Sequence, residues 1–269
     1  MKFSLKNVLA IAAAASALVL SGCGEKEADT SKVKVGVMAG AEAQVAEVAA
    51  KIAKEKYGLD VELVTFTDYV TPNAATDDGS VDINAFQHKP YLDQQVADRG
   101  YKLTIAGNTF VYPIAGYSKQ VKSVDEIAEG SRIAVPNDPT NLGRSLLLLE
   151  QQGLLTLREG VGLQGTVRDI TANPKNITIV ELDAAQLPRS LDDVALSIIN
   201  TTYASSIGLT PQKDGIFVED KESPYVNLIV AREDNVNAEN VQNFVKAYQT
   251  EEVYKAASEI FNGGVVKGW

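Results

Sequence analysis

Thiols and imidazoles are almost missing from this chain: its 269 residues include one Cys, Cys23, and one His, His88. That scarcity excludes a zinc cluster, a disulfide scaffold and any array of Cys–His nucleophile pairs. Basic residues are also in deficit, 25 against 35 acidic ones for a net charge of −10, so a basic face for nucleic acid is not expected. Nucleophile and phosphate signatures are missing as well, with no G-x-S-x-G elbow, no G-x-x-x-x-G-K-[ST] loop and no H-E-x-x-H pair. The acidic pairs Asp77-Asp78 and Asp192-Asp193 lack the alternation and the closing Glu of a calcium loop. His88 has no partner at a spacing that names a catalytic dyad. With 45% hydrophobic and 22% charged residues the composition is that of a folded body, which excludes whole-chain disorder and a polytopic membrane protein. The expectation is a binding protein rather than an enzyme, with no cofactor and no metal.

The amino terminus reads as an address. Lys2 and Lys6 precede an apolar run from Val8 to Leu20 that is too short for a comfortable membrane span, and Leu20-Ser21-Gly22-Cys23 follows. Those four residues resemble the lipobox of bacterial lipoproteins. Residues 1–22 are therefore expected to be a signal peptide, Cys23 the lipidated residue and 23–31 a flexible polar tether. Cleavage removes Lys2 and Lys6 and no acid, taking the side-chain charge from −10 to −12. The acyl chains would hold the body at a membrane, in the periplasm or extracytoplasmic space, without spanning it.

The remaining chain alternates strand and helix patterns. Val33, Val35 and Val37 alternate with Lys34 and Gly36, and Val45, Val48, Ala49, Ile52 and Ala53 then recur at helical spacing before Gly58. Strands are expected at 61–66, 82–86, 102–105, 111–117, 131–135, 177–182, 195–200, 215–218 and 225–231. Helices are expected at about 71–79, 89–99, 141–152 and 187–193, with two more carrying the stripes Val241, Phe244, Val245, Tyr248 and Val253, Ala256, Ala257, Ile260. This is an α/β chain with a parallel opening. The pattern predicts two lobes joined by crossing strands near 111–116 and 198–204, with residues 32–113 and 201–269 in lobe I, residues 114–200 in lobe II, and a ligand cleft between them.

Three groups of residues carry ligand chemistry. In Pro136-Asn137-Asp138-Pro139-Thr140-Asn141-Leu142-Gly143-Arg144, a strand ends and a helix is expected to begin at Thr140 or Asn141, with Arg144 in its first turn. Free N–H groups at a helix start and a forked guanidinium suit a small carboxylate, although a surface Arg and a capping Asn explain the run equally well. Tyr69 and the run Phe86-Gln87-His88-Lys89-Pro90-Tyr91 end the second and third strand segments, which a parallel sheet brings to the same edge of the cleft, so Tyr69, Phe86, His88 and Tyr91 can wall an apolar pocket fit for an unbranched thioether, or simply pack the sheet edge. Asn200, at the second crossing, and Asn227, polar within an apolar strand, offer amide groups to a ligand's amino or carboxylate group.

The runs Asn84–Leu92, Pro136–Arg144, Ile199–Ala204, Lys221–Asn227 and Val266–Trp269 together resemble the methionine-binding, NlpA-type lipoprotein family, and the similarity extends from the lipobox to the last residue. The resemblance implies a type II-like, two-lobed periplasmic-binding-protein fold that closes on one methionine. It also implies a role as the substrate-binding component of an ABC importer, docking on a membrane permease driven by ATPase subunits, with the body a monomer. It places Arg144, helped by Asn141, on the ligand carboxylate, Asn200 and Asn227 on the amino and carboxylate groups, and Tyr69, Phe86, His88 and Tyr91 around the thioether. Two other readings share the same anchor, a surface lipoprotein with an adhesive role and a lipid-anchored hydrolase, and the missing nucleophile motif disfavours the second.

Overall fold

A computed structural model describes residues 29–220 and 223–269; the signal segment, Cys23, most of the tether, Lys221 and Glu222 lie outside the described residues. The strands are β1 Lys32–Met38, β2 Asp60–Phe66, β3 Ile83–His88, β4 Leu103–Val111, β5 Ala115–Tyr117, β6 Arg132–Pro136, β7 Thr156–Leu157, β8 Ile170–Ala172, β9 Thr178–Leu182, β10 Leu196–Ile199, β11 Phe217–Val218, β12 Val226–Arg232 and β13 Val266–Lys267. The helices are α1 Ala41–Tyr57, α2 Thr71–Asp77, α3 Lys89–Arg99, α4 Pro139–Gln151, α5 Leu187–Ser190, α6 Thr201–Ser206, α7 Pro211–Asp214, α8 Glu239–Tyr248 and α9 Glu251–Ile260. Among the described residues no helix is long and apolar enough to cross a membrane.

The strands form two principal sheets, ordered β13-β4-β12-β3-β1-β2 and β11-β5-β10-β6-β9. In the first, β1 runs parallel to β2 on one side and to β3 on the other, while β12 and β4 run antiparallel. The parallel opening expected from the sequence is thus present, within a mixed sheet. Helix α1 ends at Gly58, whose φ of 66° is the left-handed conformation that a C-cap requires and a Cβ disfavours. Apolar faces of α1, α8 and α9 pack on this sheet around Val35, Val45, Ile83, Phe110 and Phe244. In the second sheet, Leu142, Leu146 and Leu149 of α4 bury against Ile133, Val135 and Leu196. A third apolar cluster joins Met38, Phe86 and Tyr91 to Tyr117, Ala134, Leu187, Ile199 and Tyr203, so the two lobes share a core.

Two sequence expectations change. Residues 102–105 and 111–117 were predicted as separate runs, but β4 continues through Asn108 and Thr109 because β12 and β13 pair with it on opposite sides. Residues 217–218, expected in lobe I, form β11 and pair with β5 of the second sheet. The Phe217 ring lies where a Cβ on Gly116 would sit, so a glycine on β5 admits this return strand and covers the edge of β5. In strand order the chain therefore passes between the two sheets twice, at 112–114 and at 219–225; the crossing expected near 198–204 leads instead from β10 to β11 of the same sheet.

Gly143 shows how closely α4 is seated. A Cβ there would collide with the Leu163 carbonyl oxygen and come within 2.9 Å of its carbon and 3.0 Å of the Gly165 nitrogen. Backbone atoms yield little, so Gly143→Ala is expected to cost about 1–3 kcal/mol and to lower the thermal unfolding midpoint by several degrees; an unchanged midpoint would show that the 161–165 loop moves freely.

Candidate functional site

Helix α4 begins earlier than its sequence pattern suggests. Asp138 is the N-cap, accepting the Asn141 backbone N–H at 2.9 Å, and Pro139 opens the helix. Arg144 consequently sits in the second turn rather than the first, and the helix start is already capped from within. Asn141 and Arg144, three residues apart, project from one face. Arg144 is only 4% exposed, and its partner Glu219 is 12% exposed. Nε donates to Glu219 Oε1 at 2.8 Å, while Nη2 donates to Glu219 Oε2 and, at 3.0 Å, to the Tyr112 carbonyl oxygen. The Tyr225 ring lies beneath the guanidinium, 4.3 Å from its central carbon. These bonds leave Nη1 without a hydrogen-bond partner among the described residues.

A chain of side-chain amides leads away from this cation. Asn141 Nδ2 donates to the Asp138 carboxylate, at 3.1 and 3.0 Å from its two oxygens. Asn141 Oδ1 accepts from His88 Nε2 at 3.2 Å and from Asn200 Nδ2 at 3.0 Å. His88 is the N-cap of α3, and its Nδ1 accepts the Tyr91 N–H at 3.2 Å, which assigns the proton to Nε2. Burial pushes the His88 pKa down to about 3, with the Arg144 charge adding to the effect, so the ring is neutral. Asn227 stands opposite His88 in the β12–β3 register and donates its Nδ2 to the Phe86 carbonyl oxygen at 3.0 Å. Asn200 Oδ1 is buried and has no hydrogen-bond partner.

The far end is aromatic. Tyr69 lies with its ring centroid 5.8 Å from Phe86 and 4.9 Å from Tyr203, and the Tyr91 hydroxyl donates to the Tyr69 carbonyl oxygen at 2.8 Å. Phe86, His88, Tyr91, Asn141, Arg144, Asn200 and Asn227 are buried, and Tyr69 is partly so. All eight residues singled out in the sequence line one cavity, together with Tyr112, Thr201 and Thr202. The arrangement offers a cation at one end, bare polar acceptors beside it and a polarizable apolar wall opposite.

Compared with known proteins, the chain matches the model of the NlpA lipoprotein family over residues 33–269. It belongs to the NlpA lipoprotein family. Among NlpA relatives, it is 82% identical, over the full length of both chains, to the probable D-methionine-binding lipoprotein MetQ of Vibrio cholerae. It is similar to a solved Burkholderia cenocepacia nutrient-binding protein bound to methionine, with 49% identity, a TM-score of 0.86 and coverage of 88% of this chain and 100% of that one. A Coxiella burnetii structure described as a periplasmic substrate-binding protein of an ABC transporter matches with 47% identity and a TM-score of 0.86, again over 88% of this chain and 100% of that one. The fold is thus the two-lobed fold of substrate-binding proteins.

Reasoning from sequence missed Glu219, Tyr112, Tyr225 and the Thr201-Thr202 pair as site residues. Glu219 is 75 positions from Arg144, and nothing in its neighbourhood marks it as a partner. It missed Glu42 too, which lies in the first turn of α1, is 4% exposed and accepts a hydrogen bond from the Thr202 hydroxyl. Burial pushes the Glu42 pKa up from 4.5 to about 8, against the Thr202 hydrogen bond that lowers it. Between those two values the unfolded chain has lost this proton while the folded protein keeps it, so stability falls as pH rises through the window. Glu42→Gln removes the titration. The variant's unfolding midpoint is expected to gain on the parent's steadily from about pH 4.5 to about 8 and to keep a constant gap above that; a gap independent of pH across this window would contradict this assignment.

Proposed function

We propose that this chain captures methionine outside the cytoplasm, as the substrate-binding component of an ABC importer, and that Cys23 anchors it to a membrane through lipid. The observation that carries the reading is the pairing, within one buried cavity, of the Arg144 guanidinium and the unpartnered Asn200 oxygen with the Tyr69, Phe86 and Tyr91 wall. Arg144 Nη1 is the donor left for the ligand carboxylate, a charge-assisted contact. Asn200 Oδ1 accepts from the ligand ammonium. The aromatic rings surround the side chain, where sulfur–ring contacts contribute about 0.3–1.5 kcal/mol each. Glu219 already balances Arg144, so the ion pair that meets the ligand carboxylate carries no net charge of its own.

The function is binding without chemistry. Side chains from both sheets surround the ligand, so ligand contacts favour the closed arrangement of the lobes, and that arrangement is what the permease recognises. The body acts as a monomer on its tether. Cys23→Ser is expected to release the protein from the membrane fraction, a shift that fractionation and immunoblotting measure.

Calorimetric titration with both enantiomers of methionine tests the assignment. Selenomethionine is expected to bind close to methionine, norleucine more weakly by about 1–3 kcal/mol, and lysine and glutamate poorly. Arg144→Lys keeps a charge for Glu219 but loses the fork, and is expected to weaken methionine binding about tenfold or more while the fold persists by circular dichroism. Equal affinity for lysine or glutamate, or normal binding by the Arg144→Lys variant, would sink the proposal.

A further inference from the structure

Asp138 stands behind the cavity wall and does not line it. Its carboxylate is nevertheless the fixed end of the amide chain. An ionised carboxylate only accepts hydrogen bonds, so the Asn141 side-chain nitrogen, 3.1 and 3.0 Å from its two oxygens, must point toward it. Asn141 Oδ1 then faces the opposite way, where it meets two donors. One is His88 Nε2–H, a donor because Nδ1 is occupied by the Tyr91 N–H. The other is Asn200 Nδ2. Turning the Asn200 amide over would set its oxygen against the Asn141 oxygen, so the order is single-valued: Asp138 accepts, Asn141 donates and accepts, Asn200 donates. The remaining Asn200 atom, Oδ1, is left as a buried acceptor with no partner at the cavity.

We infer that Asp138 is a positioning residue that, acting through Asn141, fixes Asn200 as a hydrogen-bond acceptor and thereby makes the cavity select ligands bearing an amino group. An ammonium group donates and never accepts, so it satisfies Oδ1, whereas a ligand lacking the amine leaves a buried acceptor unmet. The inference deepens the amino-acid reading of the site and rests on it. Asp138 also accepts from the Asn141 backbone N–H and the Thr140 hydroxyl, at 2.9 and 3.0 Å, so a substitution must keep the helix cap to isolate the relay.

Asp138→Asn and Asp138→Ser both retain a good N-cap side chain. In the first, Oδ2, one of the two oxygens facing Asn141 Nδ2, becomes an amide nitrogen while Oδ1 stays with the cap; in the second, the carboxylate and its second oxygen are gone. The probes are methionine and its deaminated analogue, which keeps the thioether chain and the carboxylate. The parent is expected to prefer methionine, and both variants to lose about tenfold of that preference with little change in unfolding midpoint. A second readout does not depend on ligand. The chain has one histidine, so its imidazole nitrogen resonances are unambiguous. The parent is expected to show the neutral Nε2–H tautomer, and Asp138→Asn to shift the Nε2 resonance as Asn141 loses its alignment. An unchanged methionine-to-analogue ratio, including equal losses for both ligands, would overturn the inference, as would an unshifted Nε2 resonance. A parent that binds neither ligand would instead refute the methionine reading, and the nitrogen spectrum would still decide whether the relay exists.

Discussion

A guanidinium held inside a protein needs a counter-charge and hydrogen bonds, and the arrangement around Arg144 supplies both from distant parts of the chain. Glu219 comes from the second passage between the sheets, the Tyr112 carbonyl from the first, and the Tyr225 ring from the approach to β12. Helix α4, which carries Arg144, belongs to the second lobe. The pair therefore ties α4 to both passages that join the two sheets. Removing either partner of such a pair typically costs about 3–5 kcal/mol, so the site and the joint of the fold share one electrostatic anchor.

The neutrality of that anchor shapes everything around it. His88 is kept uncharged by burial and by the neighbouring cation, and the amides of Asn141, Asn200 and Asn227 carry polarity without adding charge. Glu42, another buried acid, holds its proton beyond the ordinary carboxylate range because burial disfavours its charged form. We propose that selection arises from donor and acceptor order at one end of the cavity and from ring surface at the other. Asn73, Thr76, Asn84 and Gln87 form a second closed amide network that satisfies the buried polar positions of β3, the strand that presents Phe86 and His88.

Much of this was legible in the sequence because it rests on local signals. Alternating valines marked β1, Gly58 and Gly100 marked helix ends, and the position of Tyr69, Phe86 and His88 at strand ends placed them together. What stayed hidden depends on contacts between distant residues. Glu219 lies in an unremarkable Val-Glu-Asp run, and only the pairing of β11 with β5 brings it to Arg144. Asp138 read as part of a Pro-broken turn, so α4 appeared to start later and Arg144 appeared to lie nearer its end. The sequence also left open which Asn serves which ligand group, since donor direction follows from the whole amide chain and not from spacing. Thr202 and Glu42 meet across 160 positions, beyond the reach of any local pattern.

In the proposed binding mode a zwitterion lies across the cavity with its carboxylate at Arg144 and its ammonium at Asn200. A crystal structure of the protein grown with methionine measures this directly. The expected result has the carboxylate within hydrogen-bond distance of Arg144 Nη1, the Arg144–Glu219 pair intact, the ammonium on Asn200 Oδ1 and the sulfur among Tyr69, Phe86 and Tyr91. Methionine bound in the reverse sense, or found outside this cavity, would contradict it.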